Sequence, residues 1–418
     1  MPMVKTDVLQ RFLDYVQIDT ASVLPKADGK KNKPSSKGQT VLAGIIKKEL
    51  LSWGCRELRV DDLQDGSLGV YLPASSGKHQ NSLYCVFAAH LDTYFGLPGK
   101  AVPIVHNYKK GDIVLPNKAV IPASDLQGLE GERIVTSDGT TLLGGDDKAG
   151  VSAIVTIIEL LVKRHLSHGH LYFWFGVDEE SDTLDMNLLP KSLYQPWDFF
   201  CTLDGDRLGT IEVGCFNALT CEVTFKGVDA HIGLYGHKLK PAHYAAINFA
   251  EEITKVGTPM QSKEGQNLYY VETIEGSASK SVVRCELRSF DKNELDGMGN
   301  FVGRIAQLYA DKFGCTVNLS KSYEYVNISS AISKRPSYIE VCQDAHRDLG
   351  IVAKLIPQVR GGTDGATINM ALPDLPAPNL GIGVQNIHSF QEFLVVRELE
   401  LLPFVVLNII KKMKNIKK

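Results

Sequence analysis

Two short, nearly continuous apolar runs, LYCVFAAH (Leu83 to His90) and LYFWFGV (Leu171 to Val177), flank a long helical pattern, AGVSAIVTIIELLVKRH, that opens at Ala149. Apolar runs of this length without polar alternation suit strands buried on both faces. Strand, helix, strand in this order predicts parallel strands joined by a crossover, and so an α/β fold whose mostly parallel central sheet is flanked by helices. Ligands of such sheets gather at the carboxyl ends of the strands, which makes the polar residues just after these runs the first candidates for chemistry.

The texture changes near Cys215. ALTCEVTFKG and SKSVVRCELRSF alternate like half-exposed strands, PAHYAAINFAEEITKV and NFVGRIAQLYADKFG have helical spacing, and TVNLSKSYEYV alternates again. This predicts an α+β insertion over 215–326 inside a catalytic domain made of 1–214 and 327–418. A helix is expected near the N-terminus, another from about Thr40 to Trp53 with apolar Val41, Leu42, Ile45, Ile46, Leu50 and Leu51, and a last one from about Glu392. The Lys, Gly and Ser-rich ADGKKNKPSSKGQ reads as a loop.

With 418 residues, two domains are expected, since single cores seldom grow beyond roughly 250 to 300 residues. Lys plus Arg number 45 against 48 Asp plus Glu, a net charge of -3, too balanced for general binding to nucleic acid or anionic membranes. The C-terminal KKMKNIKK fits the dipole-favoured end of a helix. No apolar run approaches the roughly 18 to 20 residues that span a bilayer, and the N-terminus lacks an apolar leader core. The eight cysteines are scattered with no C-x-x-C pair, which argues against a disulfide framework or a cysteine zinc site and favours the cytoplasm.

The candidates for chemistry form a series. His90 and Asp92 follow the first apolar run two residues apart, so they share a face, and the carboxylate can orient the imidazole. In LLGGDDKAG, two glycines let the backbone approach a ligand just before Asp146 and Asp147, and the acidic pair suits a helix N-terminus, as a site or as a plain cap. Asp178, Glu179 and Glu180 end the second run, where adjacent acids repel unless a metal or a proton neutralises them. Asp204 and Asp206 follow FFCTL, but Leu208 and Cys215 stand where a calcium loop needs ligands. RGGTDGAT (Arg360 to Thr367) and His388 complete the series. His, Asp, Glu, Asp and His at successive strand ends form a nitrogen and oxygen donor set without sulfur, suited to a pair of zinc-like ions.

The segments RFLDYVQIDTAS, IVHNYKKGDIVL, VTSDGTTLLGGDDKAG and RGGTDGATINMALPDLPAPNLGIG, spread along nearly the whole chain, resemble the peptidase T family of tripeptide aminopeptidases, within the larger group of two-zinc exopeptidases and deacylases. The resemblance implies a zinc-exopeptidase-like catalytic domain with an inserted, smaller α+β lid. It implies that Asp146 bridges two divalent ions, zinc by preference, with His90 and Asp204 on one and Glu180 and His388 on the other. Asp92 would orient His90, Glu179 would be the general base, and the Asp146–Asp147 peptide would be cis. His231, Arg288 and Arg360 match the positions that hold the substrate carbonyl and carboxylate. The implied substrate is a short peptide, with hinges near Cys215 and Val326 and a homodimer through lid edge strands as an open arrangement.

The chain departs from the family pattern at Ile232, where proline is usual, in GLYGHKLK after it, and at Ser389 and Gln391 beside the final His. Alternatives with the same metals are a dipeptidase, a carboxypeptidase or an N-acyl amino acid deacylase. A non-catalytic peptide-binding protein is the alternative from another class.

Overall fold

The computed structural model describes residues 7–24, 32–75, 79–181, 184, 186–263 and 265–416. It divides into two compact units, one of Met1–Val213, Ile328–Ile356 and Thr363–Lys418, the other of Gly214–Asn327 and Pro357–Gly362. The segment carrying Arg360 thus packs with the second unit, although the sequence texture around it had returned to that of the first.

The first unit is built on an eight-stranded sheet. Its centre is parallel, with His170–Gly176, Tyr84–His90, Phe199–Gly205 and Asn379–Gly381 side by side. Antiparallel partners lie outside this centre, Leu68–Leu72 and Arg59–Asp62 on one side and Thr210–Glu212 on the other, and Lys354–Ile356 closes the edge parallel to its neighbour. The crossover helix Gly145–Lys163 is apolar almost all round from Ala149 to Leu161 and is buried accordingly. Arg11, on helix Val8–Tyr15, closes one flank by pairing with Glu49 at 2.6 Å and Glu159 at 2.7 Å.

A second, small antiparallel sheet of this unit runs Val384–Gln385, Phe393–Val395, Arg133–Thr136, Ile104–Asn107. It corrects the expected start of the last helix. Phe393, Leu394 and Val395 pair with Arg133–Thr136 and are almost fully buried, so the helix begins at Val396 and runs to Met413. The early helix runs Lys37–Ser52, and the expected apolar face is half wrong: Leu42, Ile46 and Leu50 are buried, whereas Val41, Ile45 and Leu51 are 53%, 42% and 55% exposed. Positions 42, 46 and 50 form one i, i+4 row, which is the only apolar row this helix buries, with Gln39 buried beside it. Residues 27–31 of the Lys-rich loop lie outside the described residues.

The second unit has a four-stranded antiparallel sheet ordered Leu268–Gly276, Lys280–Ser289, Asn217–Lys226, Thr316–Tyr325. Helices Ala242–Thr254 and Lys292–Phe313 complete a core with Val223, Phe225, Phe249, Val283 and Leu287. Asp291 caps the longer helix by accepting from the Glu294 amide. The strand Leu268–Gly276 was not anticipated, because its outer half is exposed on both faces and carries no clean period-two pattern. Among the described residues no helix is long and apolar enough to cross a membrane. All eight cysteines are free thiols.

Candidate metal centre

Three of the parallel strands deliver an acid or an imidazole at or just after their carboxyl ends. His90 closes Tyr84–His90, Asp204 is the next-to-last residue of Phe199–Gly205, and Glu179 and Glu180 follow His170–Gly176 by way of Asp178. Asp146 lies at the start of the crossover helix, with non-helical backbone at Asp146 and Asp147, a cis bond between them, and Gly144 at φ 76° in the turn before. His388 sits in the loop between Val384–Gln385 and Phe393–Val395 of the small sheet.

These side chains form two groups that share Asp146: His90, Asp146 and Asp204, and Asp146, Glu180 and His388. Asp146 Oδ1 lies 2.9 Å from His90 Nε2, and its Oδ2 lies 3.2 Å from His388 Nε2. One carboxylate therefore offers an oxygen to each group. Asp204 Oδ1 is 3.6 Å from His90 Nε2, and Glu180 Oε1 is 2.8 Å from His388 Nε2.

The electrostatics call for added positive charge. Burial raises the carboxyls of Asp204 and Glu179 well above the usual range, and burial with the Asp146 charge pushes Glu180 up to about 7 despite His388. Burial opposes a charged imidazole at His388 and His90. Even so, Asp146 and Glu180 lift His388 to about 10, and Asp146, Asp204 and Asp92 raise His90 well above the imidazole range. Buried acids in this excess, with nitrogen and oxygen donors and no sulfur, fit two divalent cations of the zinc type.

The supports are as ordered as the donors. Asp92 is fully buried. Its Oδ1 lies 3.3 Å from His90 Nδ1 and accepts the Glu179 amide at 3.1 Å, while Oδ2 accepts the Glu180 amide at 3.1 Å. One carboxylate thus fixes an imidazole and the turn bearing both glutamates. Asp147 accepts from the amides of His90 and Gly150, joining the strand end to the helix start. Asp178 turns away from the cluster, accepting from Ser35 and from Gln39 Nε2, which resolves the expected repulsion among three consecutive acids.

Three supporting residues escaped the sequence reading. Glu392, buried, accepts from the amides of Gly144 at 2.8 Å and Asp146 at 3.1 Å and so holds the bridging loop. Asn379 accepts from the Asp204 amide and donates to Glu212. Lys148, fully buried, donates to the Ile18 carbonyl. The first acid after the final His, four residues on, was the available signal for Glu392; for Asn379 and Lys148 nothing short of the fold identifies the partner. Ser389, a departure from the family pattern, ties the His388 turn by donating to the Asn386 carbonyl and accepting from the Gln391 amide.

The remaining candidates belong to the second unit. His231 is exposed, and its Nδ1 accepts from the Leu234 amide. Arg288 lies over the Tyr325 ring and pairs with Glu286 at 2.9 Å and Glu324 at 3.2 Å. Arg360 donates to the carbonyls of Ser262 and Lys263 and to the Ser262 hydroxyl.

No protein-family model matches the chain. Whole-length relatives do. Peptidase T of Caldanaerobacter subterraneus subsp. tengcongensis is 32% identical over 414 residues, covering 97% of this chain and 98% of the relative. Peptidase T of Clostridium perfringens is 33% identical over 415 residues with the same coverage. Among solved structures, a tripeptidase from Staphylococcus aureus aligns over 99% of this chain and 100% of its own with TM-score 0.72 and 22% identity, a likeness of fold. With such identity along almost its whole length, and with two groups of metal-type donors that share the Asp146 carboxylate, this chain belongs to the peptidase T family and is a two-metal exopeptidase of short peptides.

Proposed function

We propose that the chain is an aminopeptidase that releases the first residue of tripeptides, with Glu179 as general base. The observation that carries this reading is the placement of Glu179: it is half-buried, adjoins the proposed ligand Glu180, and its amide is held by the same Asp92 that lies against His90. When bound, the two ions supply an activated water nucleophile and polarise the scissile carbonyl. His90 and Asp204 would hold one ion and Glu180 and His388 the other, with Asp146 common to both donor groups.

Glu179 accepts a proton from the attacking water and passes it to the departing amine nitrogen. Its raised affinity for a proton, caused by burial and then by the neighbouring acids, suits both halves of that exchange near neutral pH. Asp92 keeps the His90 ring and the Glu179 backbone in register. The inserted unit acts as a lid on which exposed His231 meets the substrate carbonyl oxygen. Arg288 and Arg360 receive the peptide carboxylate, which must compete with Glu324 for the first and with the Ser262 oxygens for the second. A homodimer through an edge strand of the inserted sheet and a place in the reducing cytoplasm, where eight free thiols persist, complete the proposal.

The test is hydrolysis of a free-amine tripeptide, the matching dipeptide and the N-acetylated tripeptide by zinc-loaded protein, with Glu179→Gln alongside. Cleavage of the tripeptide alone is expected, and the variant should bind metal normally while turning over roughly 10²- to 10⁴-fold more slowly. Hydrolysis confined to the acetylated substrate would replace the aminopeptidase reading with a deacylase.

A further inference from the structure

We propose that Tyr94 and Phe95 form an apolar subsite that selects an aromatic or branched aliphatic side chain on the first residue of the peptide, an inference that rests on the aminopeptidase reading above.

The metal centre is closed on most sides. Side-chain exposure is 2% for His90, 11% for Asp146, 12% for Asp204 and 7% for Glu180, but 39% for His388. Within the catalytic unit the solvent-facing approach to the ions therefore passes His388. The loop that leaves the His90 strand brings two aromatic rings to that approach. Tyr94 stacks on the His388 imidazole, centroids 4.4 Å apart and planes 8° from parallel. Phe95 leans on Tyr94 with centroids 4.7 Å apart and remains 37% exposed, and Ile387, beside His388, is 49% exposed.

Gly96 leaves room for this arrangement, since a Cβ there would lie 2.4 Å from Tyr94 Cε1. Tyr94 is thus held as a wall, whereas Phe95, covered by Tyr94 on one side, leaves part of its ring open to solvent. An exposed apolar pair at the entrance to a reaction centre gains most by covering part of the substrate.

The geometry of the reaction indicates which part. The scissile carbonyl must reach the ions, and the Cβ of the residue that owns this carbonyl is two bonds from the carbonyl carbon. The Cβ of the next residue is three bonds away, across the nitrogen. A ring stacked directly on a metal ligand is therefore in reach of the first residue's side chain. Tyr94, Phe95 and Ile387 bring no charge to the approach, so an acidic side chain would lose its hydration there without a partner.

The experiment measures kcat/KM of the zinc-loaded full chain on Phe-Gly-Gly, Leu-Gly-Gly, Ala-Gly-Gly and Asp-Gly-Gly. Phe and Leu should exceed Ala by roughly tenfold or more, the scale of hydrophobic pocket discrimination, with Asp slowest. Phe95→Ala should bring the Phe to Ala ratio towards one, Tyr94→Phe should preserve it, and Phe95→Lys should favour Asp-Gly-Gly. Calorimetric titration with free phenylalanine and alanine should give the same order without turnover. Equal rates on all four peptides, or a ratio unchanged in Phe95→Ala, would overturn the subsite while leaving the aminopeptidase reading standing. If no peptide is cut by metal-loaded protein and phenylalanine binds no better than alanine, both fall.

Discussion

The two units handle buried charge in opposite ways. In the inserted sheet, Arg288 is set between Glu286 and Glu324, so a cation and anions of the unit's own sequence meet. At the carboxyl edge of the parallel sheet, Asp146, Asp204, Glu179 and Glu180 crowd around two imidazoles, with no Lys or Arg pairing with them among the described residues. The comparison teaches what each region was shaped for. A self-neutralised cluster stabilises its own sheet, while an acid excess held rigidly by Asp92, Glu392 and Asn379 keeps a place for cations that the chain does not supply.

The sharpest way to break the contrast is to remove the ions. Chelation should abolish peptide hydrolysis and lower the melting temperature, with both restored by zinc; an ion present at a hundred times its dissociation constant adds about 2.7 kcal/mol to folding. Activity that survives exhaustive chelation, verified by elemental analysis, would end the two-metal account. A smaller effect is expected in the inserted unit. Arg288→Ala leaves two half-buried glutamates without their cation and should cost about 2 kcal/mol by denaturant melt, an effect indifferent to chelator, together with a raised KM for the peptide.

The smallest effect is acid sensitivity remote from both clusters. Burial lowers the pKa of His168 and His346, which favours their neutral form in the fold. Below an unfolded value of about 6.5, the unfolded chain binds protons that the folded chain refuses, so stability falls as pH drops. Melts from pH 7.5 to 5.5 should show His346→Gln losing less stability than the parent, by at most about 1.4 kcal/mol per pH unit. Parallel slopes for the two proteins would remove His346 from this account.

The parallel strands were legible because LYCVFAAH and LYFWFGV have no other stable place than between two layers. The convergence of the candidate donors was legible for a related reason, since polar residues directly after such runs are forced to the carboxyl edge. The apolar face of helix Lys37–Ser52 was half misjudged because its sequence carries more apolar residues than its single buried row uses. Phe393–Val395 read as the start of a helix because three apolar residues before a long helical pattern carry no period of their own; only the pairing with Arg133–Thr136 makes them a strand.

What the sequence determined by itself was composition of chemistry: which acids and imidazoles stand at strand ends, that sulfur is absent from the set, and that an α+β segment interrupts the α/β pattern. The tertiary structure decided how they converge. It split the two oxygens of Asp146 between His90 and His388, brought Glu392 back across 246 residues to the Asp146 amide, and laid Tyr94 on His388. Local pattern fixes which side of an element a residue occupies, but distances between elements far apart in the chain are set only when the whole core packs, and metal and substrate respond to those distances.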